Sequence, residues 1–262
     1  MDRYALVTGA AGDLGRATSV ALAEDGWSLL IADHPAQTAR LRVTGEACAR
    51  VGSSAVLASF DVTDRAAVRR TAETLAEQHG VPTAVVAAAG VQGDFAPVQD
   101  YDAEVARRVL HVNTMGVFSV LAVTAELMIR AGTGGSIVAI ASMAGVSGAP
   151  NMPAYSASKA AVIGLVKAAS RDLAPHGIRV NAVSPGFIGP GAMWDIQVAR
   201  QAAADSQYYA SEPDLVERQM IEAIPMRRYG SPAEVADVIR FLAGERSSYV
   251  TGVNIEIAGG AL

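Results

Sequence analysis

A chain of 262 residues, 51% hydrophobic and 18% charged, is long enough for one large α/β domain with a sizeable core. Its net charge of −5 gives no electrostatic pull toward nucleic acid or an acidic membrane. The single cysteine, Cys48, excludes an internal disulfide and a cysteine metal cage, and His34, His79, His111 and His176 are too scattered to suggest a metal site.

Tyr4–Thr8 reads as a first strand. It starts too early to leave room for a signal peptide, and no apolar run is expected to reach membrane-spanning length, so the chain reads as cytoplasmic. Thr8-Gly9-Ala10-Ala11-Gly12-Asp13-Leu14-Gly15 follows and opens a helix predicted over Leu14–Glu24. Glycines here let the backbone turn sharply and approach a pyrophosphate, whose charge then faces the amides of a helix N-terminus. In isolation such a loop is a weak signal; between a first strand and a first helix it is a much stronger one. The second predicted strand, Ser28–Asp33, ends on an acid placed to bond both ribose hydroxyls of an adenosine and to repel a 2′-phosphate. Asp33 therefore favours NAD over NADP, the alternative being a turn or capping residue.

A helix over Ala36–Val51 and a strand over Ala55–Phe60 come next, with Asp61 and Val62 placed to meet an adenine. The helix Asp64–His79 leads to a strand over Ala84–Ala88, after which Ala89 and Gly90 are small enough for a cofactor to lie across the strand ends. A helix is predicted over Asp102–Ala131, then a strand Ser136–Ser142, a helix Pro153–Pro175 and a strand Ile178–Ser184. The last helix, Pro232–Ala243, opens with Ser-Pro-x-Glu, a good start signal, and Val253–Ile257 makes a seventh strand. The strands are nearly continuous in apolar residues, as parallel strands covered on both faces are. Repeated βα units imply a Rossmann-type, doubly wound parallel sheet of about seven strands, with helices on both faces. No linker or repeat divides the chain, so residues 1–262 are expected to form a single dinucleotide-binding domain.

Tyr155 and Lys159 stand four residues apart in Tyr-Ser-Ala-Ser-Lys, on one face of the helix predicted there. A free tyrosine, with a pKa of about 10, is too weak an acid to serve as a base near neutral pH. A cation at ~4 Å favours the phenolate by about 4 kcal/mol at an effective dielectric of ~20, or about three pKa units. Tyr155 is thus expected to be a general acid/base whose pKa Lys159 lowers.

Taken together, these residues resemble the short-chain dehydrogenase/reductase family over essentially the whole chain. The resemblance implies a catalytic tetrad of Asn113, Ser142, Tyr155 and Lys159. In it Tyr155 exchanges a proton with the substrate oxygen, and Lys159 holds the nicotinamide ribose. Ser142 bonds the substrate oxygen, and Asn113 holds a water in the proton path. Pro185-Gly186 matches the segment beside the nicotinamide, with Ile188 at the position that bonds its carboxamide. The implied cofactor set is Gly9, Gly12, Asp13, Leu14, Asp33, Asp61, Val62, Ala89, Gly90, Tyr155, Lys159, Pro185, Gly186 and Ile188, with NAD as cofactor and no metal. A homotetramer is implied as well, built on the Asp102–Ala131 and Pro153–Pro175 helices and the C-terminal segment.

The chain departs from the family pattern in places. Asp13 stands where glycine is usual, either capping the first helix or weakening pyrophosphate binding. The segment Ala87-Ala88-Ala89-Gly90 lacks the usual asparagines, and Pro190 replaces a threonine that commonly contacts the cofactor. The family's substrate lid falls at about 187–225 and holds Met193, Trp194, Tyr208 and Tyr209. These aromatics either line the pocket or pack the lid's own helices or a subunit contact.

Gln92–Tyr101, Ala141–Gly145, the Gly189–Trp194 stretch, Pro225–Gly230 and Ile257-Ala258-Gly259-Gly260 resemble polyol dehydrogenases of the xylitol dehydrogenase type. A polyol pocket needs several hydrogen-bond partners, since buried polar groups left unpaired cost about 1–3 kcal/mol each. Gln92 and Asn151, with Met193 and Trp194, are the expected substrate residues, and Asp94 is a further candidate. The substrate is expected to be a small alcohol or ketone, most simply a polyol such as xylitol. Apolar secondary alcohols walled by Met143, Met193 and Trp194 are the alternative. A non-catalytic dinucleotide sensor would be expected to lack Tyr155 or Lys159, and both are present.

Overall fold

A computed structural model describes residues 3–261. Seven parallel strands form one sheet in the order β3-β2-β1-β4-β5-β6-β7. They are β1 Tyr4–Thr8, β2 Ser28–Asp33, β3 Ala55–Ser59, β4 Ala84–Ala87, β5 Gly135–Ile140, β6 Ile178–Pro185 and β7 Asn254–Ile257. Each lies within a residue or two of its predicted span. The helices are α1 Asp13–Glu24, α2 Thr38–Arg50, α3 Arg65–His79, α4 Ala103–Leu110, α5 Val117–Ala131, α6 Met143–Val146, α7 Pro153–Leu173, α8 Ala192–Ala203, α9 Pro213–Glu222 and α10 Pro232–Ala243.

Alternate residues of each strand enter opposite cores. Leu6 and Leu30 join α3, α5 and α7 through Val68, Val120 and Val166. Val7, Leu29 and Ile31 join α1, α2 and α10 through Leu22, Leu41 and Ile239. Because both faces are covered, all four residues of β4 are buried. The chain winds outward from β1 to β3, then restarts at β4 on the other side. The loops after β1 and β4 therefore part at the carboxyl edge and open a crevice at the switch point.

The predicted starts of α3 and α10 have clear causes. Asp64 caps α3 by accepting from the Ala67 amide at 3.0 Å. Ser231 and Glu234 form a reciprocal capping box at α10.

The helix expected over Asp102–Ala131 is not regular. Asp102 is its cap, and a π-helical turn over His111–Gly116 separates α4 from α5. Such turns collect at functional sites, and this one carries Asn113. A 3.6-residue period cannot reveal one extra residue in a turn. Contrary to the expectation that no apolar run would suffice, the continuous run Ala103–Ala131 is long and apolar enough to cross a membrane. Most of its apolar stretch is buried inside the fold, as in a core helix.

Candidate active site

The glycine loop is shaped by close backbone contact. Gly9 has φ of 69°, and a Cβ at Gly15 would lie 2.2 Å from the Gly9 carbonyl oxygen. The loop is also tied to its neighbours: the Asp33 carboxylate accepts from the Ala11 amide at 2.8 Å and the His34 amide at 2.7 Å. The Thr44 hydroxyl donates to the Ala10 carbonyl at 2.8 Å. Asp33 thus sits beside the loop and braces it. At the end of β3, Asp61 accepts from both the amide and the hydroxyl of Thr63, at 2.9 and 2.8 Å. Partial burial pushes its carboxyl up, but the Thr63 bonds together with the nearby His34 and His111 outweigh that and hold it below the usual carboxylate range. Val62 is buried against Gly116.

Asp13 does not cap α1, contrary to one reading of the sequence. Gly12 is the N-cap, and Asp13 is the first helical residue. Its carboxylate turns to the lid, 3.4 Å from the Met193 amide, with Arg16 and Arg40 each at 3.9 Å. The glycine at the cap leaves the first-turn amides without a side-chain partner, which suits an anion there.

Asn113 is fully buried, and its amide is committed. It accepts from the Val91 amide at 2.8 Å and donates to the Val91 carbonyl at 2.8 Å and the Ser158 hydroxyl at 3.0 Å. Ser158 in turn donates to the Tyr155 carbonyl at 2.7 Å. Asn113 therefore fastens the loop after β4 to the helix bearing Tyr155. Ser158 was not singled out from the sequence; a small polar residue inside Tyr-Ser-Ala-Ser-Lys was the available signal. Beside this network, a Cβ on Gly90 would lie 3.1 Å from Asn113 Oδ1 and 3.5 Å from Lys159 Nζ. Only glycine leaves that hollow open, and with the loop after β1 it makes a cradle that fits a dinucleotide.

Ser142, two residues past β5, is extended and caps α6, its hydroxyl accepting from the Ala144 amide at 3.2 Å. Lys159 Nζ donates to the Ile140 carbonyl at 2.7 Å and lies 5.6 Å from the Tyr155 ring centre. Ser142, Tyr155, Lys159 and Asn113 are thus brought together. One expectation fails. Loss of solvent around the Tyr155 phenol pushes it up, and the neighbouring Ser142 hydroxyl only partly offsets this. The lysine ammonium is engaged with a backbone carbonyl instead of the phenol, and burial pushes it down to about 8.

A crevice of about 350 Å³ opens above Ser142 and Tyr155. Leu14, Pro185, Gly186, Ile188 and Pro190 line its cofactor side. Gln92 and Met193 line it as expected, joined by Phe187, Gln197, Gln201 and Tyr209. Gln92 is buried, donates to Gln197 Oε1 at 3.2 Å, and keeps its own Oε1 without a partner. Gln197 and Gln201 were missed because nothing in sequence marks which face of a lid helix looks inward.

Two expected substrate residues are placed differently. Trp194 is not on the crevice: its indole N–H donates to Glu217 at 3.0 Å, and its rings pack on Phe187 and Tyr229 within the lid's own core. Asn151 is buried with its amide spent on Gln201 at 2.7 Å and Ser206 at 2.9 Å, so none of its N–H groups faces a substrate. Asp94 is exposed and lies outside the lining.

A family model described as Enoyl-(Acyl carrier protein) reductase matches residues 9–261. The chain is 36% identical to (3R)-3-hydroxyacyl-CoA dehydrogenase of Canis lupus familiaris, covering 98% of this chain and 95% of that one. The chain belongs to the short-chain dehydrogenase/reductase family. Within the family it is also 34% identical to L-2,3-butanediol dehydrogenase of Corynebacterium glutamicum, over 100% of this chain and 99% of the relative. The crystal structure of NAD+-bound xylitol dehydrogenase superposes with a TM-score of 0.95 at 45% identity, covering 98% of each chain. The protein is accordingly a short-chain oxidoreductase acting on secondary alcohols and ketones.

Proposed function

We propose that the protein is an NAD-dependent dehydrogenase interconverting a neutral polyol, of the size of xylitol, and its ketone. One observation carries the substrate class. The crevice is walled by the side-chain amides of Gln92 and Gln197, and among the described residues lining it the only charged one is Asp13, with no cation. Amides pair with hydroxyls in either sense, whereas a carboxylate or phosphate on a substrate would find no positive partner there. The unpartnered Oε1 of Gln92 accepts a substrate hydroxyl in this reading. Asp33 supports NAD, because its carboxylate repels a 2′-phosphate.

The loop from Gly9 to Leu14, Asp33, Asp61, Val62, Ala89, Gly90, Pro185, Gly186 and Ile188 would hold the dinucleotide, with Tyr155 and Lys159 against its nicotinamide ribose. Bound there, the nicotinamide supplies hydride acceptance or donation. Ser142 Oγ and Tyr155 Oη together bond the substrate oxygen, which fixes the reacting carbon. Tyr155 Oη gives its proton to a ketone oxygen in reduction and takes one from the alcohol in oxidation. With its phenol pushed up, Tyr155 holds its proton at neutral pH, the form reduction requires. Asn113 keeps the loop and the tyrosine helix in fixed relation.

An apolar alcohol is the competing reading, favoured by Met143, Met152, Phe187 and Met193 on the same walls. Initial rates on polyols, apolar secondary alcohols and 3-hydroxyacyl thioesters, with NAD and with NADP, decide between them. Polyol oxidation with NAD should lead, and Gln92→Leu should lower kcat/KM for the polyol by roughly 1–3 kcal/mol while sparing an apolar alcohol. Rapid apolar oxidation beside inert polyols, or a preference for NADP, overturns the assignment. We also propose a cytoplasmic homotetramer. Met115 and Phe118 on the run from α4 to α5, and Val146 in α6, leave exposed apolar surface that subunit contacts would cover.

A further inference from the structure

Asn151 has φ of 64°, a conformation that asparagine tolerates better than other residues with a Cβ. It lies four residues before Tyr155, and its carbonyl accepts from the Ala96 amide at 2.9 Å. Its side-chain amide reaches across to the lid, to Gln201 Oε1 on α8 at 2.7 Å and to the Ser206 hydroxyl at 2.9 Å. Gln201 answers by donating to the Pro150 carbonyl at 3.1 Å. One hydrogen bond thus joins the two amides and a second returns from Gln201 to the Pro150 backbone, and Asn151 and Gln201 are only 6% and 2% exposed.

We propose that Asn151 and Gln201 form a clasp that holds the lid shut over Tyr155, making them positioning residues for the reaction. Opening the lid breaks three bonds at once, one buried and two partly buried, and leaves their donors and acceptors to be resolvated, so the closed state is favoured before any substrate enters. All three bonds join uncharged groups, so closure carries no titration of its own. The clasp does not select the alcohol; it sets the fraction of molecules whose crevice is already formed. A substrate that binds only the closed form has its apparent affinity reduced in proportion to that fraction.

Asn151→Gly deletes the amide while tolerating the left-handed backbone, and Gln201→Met deletes the partner at similar size. With NADH bound, hydrogen exchange over residues 192–203 should accelerate in each variant. The KM for whichever alcohol the enzyme oxidises should rise about ten-fold with kcat and the NADH dissociation constant nearly unchanged. The double variant should fall short of the sum of the two single effects, because the Asn151–Gln201 bond is lost in both. Unchanged exchange in the lid, additive losses in the double variant, or a fall in kcat at constant KM overturns the clasp. The exchange readout needs no substrate, so the clasp can fail or stand independently of the polyol assignment.

Discussion

The nucleotide end and the lid face the same crevice, yet they are held by opposite means. At the nucleotide end the backbone makes the surface proposed to hold the dinucleotide. Gly9, Gly15 and Gly90 sit where a Cβ would meet other atoms at 2.5, 2.2 and 3.1 Å, and Asp33 and Thr44 brace the loop through main-chain groups. In the lid the side chains carry the work. Trp194, Val198, Val216 and Met220 make a small core of their own, and Gln197 and Gln201 reach to residues more than forty positions away. A surface made of backbone depends little on side-chain identity, whereas a separately packed lid can change its inward face without disturbing the sheet.

That contrast can be tested between the halves, beginning with the largest effect. Tyr155→Phe should lower kcat by about 10²–10⁴-fold, the usual range for a lost acid/base, while the NADH dissociation constant stays near wild type. A variant retaining most of its rate would remove Tyr155 from the proton path.

Lys159 gives a pH-dependent test. Burial lowers its pKa from the ordinary lysine value to about 8, so its charge is present below that pH and lost above it. NADH affinity should therefore weaken as pH rises through about 8. The limb should vanish in Lys159→Met, whose affinity should be poor at every pH. A limb that survives in that variant belongs to another group.

Gly15→Ala should act on the nucleotide end alone. Its Cβ would be forced against the Gly9 carbonyl oxygen, and overpacking of this kind costs about 1–3 kcal/mol. Thermal unfolding and NADH titration should both show the loss, with substrate KM at saturating NAD little changed. An alanine accepted at no cost would mean that the loop relaxes freely, and the contrast with the lid would weaken.

The smallest effect is expected from Trp194→Phe, which keeps the aromatic packing but leaves Glu217 without its indole donor. A loss of about 1 kcal/mol should appear in lid hydrogen exchange, with polyol and apolar substrates affected alike. Selective loss on one substrate would return Trp194 to the crevice.

Much of the fold was legible in the chain. Near-continuous apolar runs announced parallel strands, and Ser231 with Glu234 announced the start of α10. Helix geometry singled out Tyr155 and Lys159, one turn apart, while Asn113 and Ser142 were named only through the resemblance to the short-chain dehydrogenase/reductase family. The interruption at Asn113 was hidden, since a π-turn keeps the apolar pattern on both sides of it.

The sequence by itself determined the sheet, the glycine loop and the Tyr155–Lys159 pair, because each follows from periodicity or from neighbours a turn apart. Tertiary structure alone decided what those groups face. It turned Asp13 from the loop to the lid, tied Lys159 to the Ile140 carbonyl instead of the phenol, hid Trp194 in the lid and spent Asn151 on Gln201. A side chain's partner, unlike its helix, is set by whatever distant segment folds against it. Burial, which sets the direction of the Tyr155 and Lys159 shifts, likewise exists only once the chain has closed around them.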